Sequence, residues 1–144
     1  MGYALTDANT TCNMKIDLTE GYAVKKFDGP TKRFCQTLDL RDNPELIATY
    51  RKLHAQDGIW PEIIQGIRQV GILEMEIYLL GTRLFMIVEM AESTDWNTAM
   101  SQLATLPRQA EWEELTARYQ QASPNAGSAE KWKLMERIFH LYEV

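Results

Sequence analysis

The chain has 144 residues and a formal net charge of −5; apolar residues make up 45% of it and charged residues 24%. These values suit one globular domain with enough material for a core. They argue against a nucleic-acid partner, because no run concentrates Lys and Arg against phosphates, and against a membrane partner, because no apolar stretch reaches the roughly 20 residues a span needs.

Residues 1–31 carry no sustained periodicity, are rich in Thr, Asn, Asp and Gly, and end at "DGPT". They read as an N-terminal extension, ordered in part at best, ahead of a domain over residues 32–144. No secretory h-region is visible, and Cys12 and Cys35 read as unpaired thiols, so a cytoplasmic setting is expected. "KRFCQTLDL" (32–40) reads as a strand with Phe34, Leu38 and Leu40 on one face and Gln36 as the exception.

"RDNPEL" starts a helix: Asn43 can cap it, Pro44 suits its first turn, and Glu45 meets its positive end. Leu46, Ile47, Tyr50, Leu53 and His54 then form one stripe. Pro61 opens a second helical segment with Ile63, Ile64, Ile67 and Val70 on one face and Gly71 as its stop. "ILEMEIYLL" (72–80) alternates, with Leu73, Met75, Ile77 and Leu79 facing one way and Glu74, Glu76 and Tyr78 the other. Gly81 and Thr82 turn it into a second strand, "RLFMIVEM". Helical stretches follow over 95–104 and 107–121, the latter with Trp112, Leu115, Tyr119 and Ala122 on a stripe. "LMERIFHLY" (134–142) reads as a last strand.

This order is a split βαβ arrangement: an α+β, ferredoxin-like fold with an antiparallel sheet and helices on one face. The other face needs cover. A ligand cavity or a second subunit would supply it, and a homodimer with two sheets facing each other is the expected assembly.

No phosphate-binding glycine loop, nucleophile elbow or HExxH occurs, and two histidines, His54 and His140, cannot build a histidine-rich metal site. Acid–base chemistry with no metal or cofactor is the expectation. His54 is the leading candidate, since an imidazole exchanges a proton near neutral pH, and Tyr50 lies one turn before it on the same face. Trp60 and Trp112 can stack on the C–H face of a sugar. A histidine or tryptophan on an apolar stripe is also an ordinary core residue, and Glu74 and Glu76 are most simply a solvated strand face.

"YRKLHAQDGIWPEI", with "GILEMEIYLLGTRLFMIVEM" and a closing "MERIFHLY", resembles the L-rhamnose mutarotase family over residues 32–142. The resemblance implies a dimeric α+β barrel. It implies interconversion of the α and β anomers of a 6-deoxy sugar without a cofactor. It makes His54 the proton donor and Tyr50 a sugar contact. A second sugar-binding tyrosine of the family falls on Met75, and a Trp-Trp pair falls on Glu111 and Trp112. "EWEELTARYQQA" with "EKWKLMERIF" resembles the branch associated with L-fucose, so the choice between L-fucose and L-rhamnose stays open. Glu111, Glu76 or a water could serve as the base. A cofactor-independent oxygenase on the same fold and a non-catalytic sugar-binding dimer are the alternatives.

Overall fold

The computed structural model describes residues 2–5, 14–122 and 127–142; Cys12 lies outside them. In chain order its elements are β1 (Gly2–Leu5), β2 (Met14–Asp17), a 3-10 turn (Leu18–Glu20), β3 (Thr31–Asp39), α1 (Pro44–Leu53), α2 (Pro61–Gln69), β4 (Ile72–Leu80), β5 (Arg83–Ala91), α3 (Trp96–Leu103), α4 (Gln109–Ala117), α5 (Ser128–Lys131) and β6 (Lys133–Leu134). Within the segment read as an extension, β1 and β2 pair as a separate antiparallel ribbon.

The other four strands form one antiparallel sheet in the order β4-β5-β3-β6. This is the ferredoxin-like order, in the α+β class that the sequence pattern implies. Paired residues share a face. Leu84, Met86, Val88 and Met90 of β5 are all buried, and their partners on β4 are Leu79, Ile77, Met75 and Ile72. The partners of Leu84 and Met86 on β3 are Leu38 and Gln36, and both are buried as well. The helices pack on this face, and Phe34 meets the Trp96 ring of α3 at 4.2 Å between centroids. No helix among the described residues is long and apolar enough to cross a membrane.

Local signals explain the element ends. The Asn43 side chain accepts from the backbone N–H groups of Glu45 and Leu46 at 2.9 and 3.1 Å, which caps α1. Gly81 takes φ +62 in the β4–β5 turn, a conformation that costs glycine nothing.

Three readings change. A bulge between Ile72 and Glu74 removes Leu73 from the alternation; Ile72 is buried instead, and Leu73 is 40% exposed. The helix expected over 107–121 spans only Gln109–Ala117. Arg108 at φ +65 interrupts its start, and beyond Ala117 the chain turns so that the Gln121 N–H reaches the Asp39 carbonyl at 2.8 Å. The strand expected over 134–142 pairs with β3 only at Lys133 and Leu134. The Met135 N–H still reaches the Cys35 carbonyl at 2.8 Å, but farther on Ile138 is 90% exposed and Phe139 76%. Alternation marks the two faces of a strand; it does not say which chain supplies the neighbour.

Candidate active site

The α1 stripe places Tyr50 and His54 one turn apart, with Tyr50 buried and His54 half-buried as the residue that ends the helix. Nδ1 of His54 lies 2.9 Å from the Tyr50 carbonyl oxygen. A carbonyl only accepts, so Nδ1 carries the hydrogen and Nε2 bears the lone pair of the neutral ring. Burial holds the His54 pKa below the ordinary histidine value, partly offset by that same bond. At neutral pH the imidazole is therefore uncharged. The Tyr50 ring lies 4.3 Å from the imidazole, centroid to centroid, and its hydroxyl accepts from Gln120 Nε2 at 3.1 Å. Burial pushes the Tyr50 hydroxyl pKa up to about 12, against the Gln120 bond and with the help of the Glu113 charge. It stays protonated, a neutral hydrogen-bonding group.

α4 brings Trp112 edge-on to His54 at 5.3 Å, and Trp60 stands edge-on behind Trp112 at 5.1 Å. The Arg108 guanidinium sits 3.9 Å from the centre of the Trp60 ring and 3.7 Å from carboxylate oxygens of Glu62 and Glu111. The rings thus hold the imidazole in a fixed plane, and Arg108 clamps the outermost ring.

Tyr50, His54 and Trp112 border a cavity of about 430 Å³ between the sheet and the helices. That is the size class of small-molecule sites. One wall is apolar: Ile63, Ile64 and Ile67 of α2 with Met75 and Ile77 of β4. The side supplied by α4 is polar, because α4 repeats Gln109, Glu113 and Thr116 at helical spacing and Gln120 follows. Glu113 Oε1 lies 2.8 Å from Lys131 Nζ, and Gln109 Nε2 donates to its other oxygen at 2.6 Å. Lys131 is fully buried; its ammonium also donates to the Glu113 carbonyl at 3.2 Å and the Thr116 hydroxyl at 3.4 Å.

Of the residues singled out in the sequence, Tyr50, His54, Trp112 and Met75 line this cavity. Trp60 stands one ring behind it. Glu111 points outward, its side chain 65% exposed beside Arg108. Glu76 pairs with Ile87 on the face of the sheet opposite the helices. Sequence reasoning missed Glu113, Gln120 and Lys131. The spacing of Gln109, Glu113 and Thr116 was a usable sign of a polar stripe, but Lys131 lies on another helix and no local pattern links it to Glu113.

Residues 33–141 match the family model described as L-rhamnose mutarotase. The chain is 39% identical over 112 residues to an L-fucose mutarotase of Xanthomonas campestris pv. campestris, covering 78% of this chain and 90% of that one. It is 33% identical over 114 residues to a UPF0734 protein of Dictyostelium discoideum, covering 76% of this chain and 90% of that protein. The crystal structure of an L-rhamnose mutarotase from Formosa agariphila superposes with a TM-score of 0.54 at 18% identity, over 77% of this chain and 99% of the other. That likeness concerns the fold.

Proposed function

The chain belongs to the L-rhamnose mutarotase family, and on that premise we propose that it interconverts the α and β pyranose anomers of a 6-deoxy-L-sugar, L-fucose or L-rhamnose, with His54 moving the proton. The observation that carries the reading is the bond from His54 Nδ1 to the Tyr50 carbonyl, which leaves Nε2 as the working nitrogen at the edge of a sugar-sized cavity. Nε2 takes the proton of the anomeric hydroxyl. The oxygen left behind forms the carbonyl as the bond from the anomeric carbon to the ring oxygen breaks. The imidazolium then protonates the ring oxygen. After rotation of the carbonyl the steps reverse on its other face. His54 is thus the proton donor in the second half of each opening, and no net charge builds up. Tyr50 and Trp112 bound the sugar beside it.

The activity is assigned to the mutarotase-like domain over residues 32–144, with residues 1–31 as an N-terminal extension ahead of it. Met75 supports the L-fucose side of the reading, since it lines the cavity where the resemblance calls for a tyrosine. The relative 39% identical to this chain, named L-fucose mutarotase, supports the same side.

The assembly belonging to this reading is a cytoplasmic homodimer. Two observations support the dimer: the exposed apolar residues of segment 135–142, and the half-covered Tyr78, Phe85 and Ile87 on the sheet face away from the helices. The half-buried thiol of Cys35, free among the described residues, suits a reducing compartment.

Saturation transfer between the anomeric protons of L-fucose, and separately of L-rhamnose, tests the reading. Protein at neutral pH is expected to accelerate exchange of at least one sugar, L-fucose the more. Equal exchange with and without protein for both sugars rules out the activity.

A further inference from the structure

The polar wall of the cavity contains two acceptors that the proton transfer does not use. The first is Glu113, whose carboxylate is fixed by Lys131 and Gln109 from two sides and still borders the cavity. A buried ammonium and carboxylate give up hydration, and a pair of apolar side chains of similar volume would often serve stability as well. Here the pair stands at the wall of a binding cavity, where a carboxylate of fixed direction is useful. Each oxygen has accepted one hydrogen and retains a second lone pair. The second acceptor is Gln120. Its amide nitrogen donates to the Tyr50 hydroxyl, but its Oε1 is buried with no hydrogen-bond partner among the described residues. An unmatched acceptor in a buried wall costs free energy that an incoming donor can recover. Sugar hydroxyls are such donors.

We propose that Glu113 and Gln120 accept hydrogen bonds from ring hydroxyls of the sugar and so select the hydroxyl orientation that is bound, with Lys131 as the positioning residue that aims Glu113. This rests on the sugar reading above. The two walls then divide the substrate between them. The deoxy carbon and one apolar ring edge meet the isoleucines of α2, and the hydroxyl-bearing edge meets α4. Selectivity between epimers follows, because a hydroxyl turned the other way leaves Glu113 or Gln120 unmatched again.

The test is a cycle between protein and substrate. KM and kcat for anomer exchange are measured for L-fucose and for its single-deoxy analogues, with the unaltered protein and with Glu113→Gln. Removing the recognised hydroxyl is expected to raise KM about ten- to a hundred-fold, the range for a hydrogen bond to a charged group. In Glu113→Gln the same removal is expected to have little further effect, since the partner is already altered. Glu113→Gln should raise KM for L-fucose with kcat nearly unchanged. Gln120→Met gives an independent second variant, expected to couple to a different hydroxyl. Lys131→Met is expected to raise KM, and Lys131→Arg, which keeps the cation, to restore it. Additive effects of every deoxy analogue with both variants, while the unaltered protein exchanges L-fucose, would overturn this inference alone. Absence of exchange for any sugar with the unaltered protein would remove the sugar reading and this inference together.

Discussion

At the scale of single residues, His54 ties geometry to protonation. Its neutral form is the one that accepts the first proton, and burial favours that form. The rate should therefore be flat near neutral pH. On the acid side kcat/KM should fall about tenfold per pH unit once below a pKa that lies under the ordinary 6.5. The stability contribution has the same sign. Burial of the neutral ring stabilises the fold above the ordinary histidine pKa, and that contribution is lost as pH falls through the lowered value. A rate that rises on acidification would remove His54 as first acceptor. His54→Ala is expected to lower kcat by about 10²–10⁴ while far-UV circular dichroism is unchanged. Position 75 answers a different question. Met75→Tyr should raise the ratio of L-rhamnose to L-fucose exchange, and Glu111→Trp, placed outside the cavity, should move that ratio less. Relative rates from the two sugars in one tube decide it.

At the scale of elements, the site depends on how α1 ends. A Cβ at Gly58 would overlap the Lys52 carbonyl oxygen, so the loop after His54 can lie against α1 only with glycine there. Gly58→Ala is expected to cost about 1–3 kcal/mol by overpacking, and to lower kcat because the imbalance falls on the turn that carries His54. Thermal unfolding and exchange rates, measured on the same preparation, test both halves. Asn43→Ala acts at the far end of α1; it should cost about 0.5–2 kcal/mol in urea unfolding and leave kcat within experimental scatter. These elements were also the most legible part of the sequence. The Asn43 cap, the Pro44 start, the Gly81 turn and the strand from Arg83 onward each follow from local spacing, and each forms. What stayed hidden was non-local. Leu73 leaves its face because of a bulge, Arg108 breaks a helix at a left-handed residue, and the Lys131–Glu113 pair joins two helices. Sequence spacing sees a face of one element; it does not see what another element brings to that face.

At the scale of the whole molecule, segment 135–142 is the feature a single chain leaves unexplained. Ile138, Phe139, Leu141 and Tyr142 are 90, 76, 72 and 69% exposed, a concentration of apolar surface uncommon on a monomer. The dimer reading gives it a neighbour. Deleting residues 137–144 is expected to convert a dimer into a monomer, as measured by light scattering after size exclusion. A deletion variant that stays dimeric would place the interface elsewhere. The described residues of one chain already enclose the cavity around His54, and the monomer is expected to retain a measurable part of the exchange activity.

The stack from Arg108 through Trp60 and Trp112 to His54 has an optical consequence. Trp112 is held edge-on at 5.3 Å from the imidazole, so the indole borders the one nearby ring whose charge changes with mild acid. Acquisition of a positive charge there polarises the indole and opens a route for quenching its excited state. Tryptophan emission should therefore follow His54 titration in the absence of any sugar, with Trp112→Phe silencing the response. The protein would report its own proton occupancy as light.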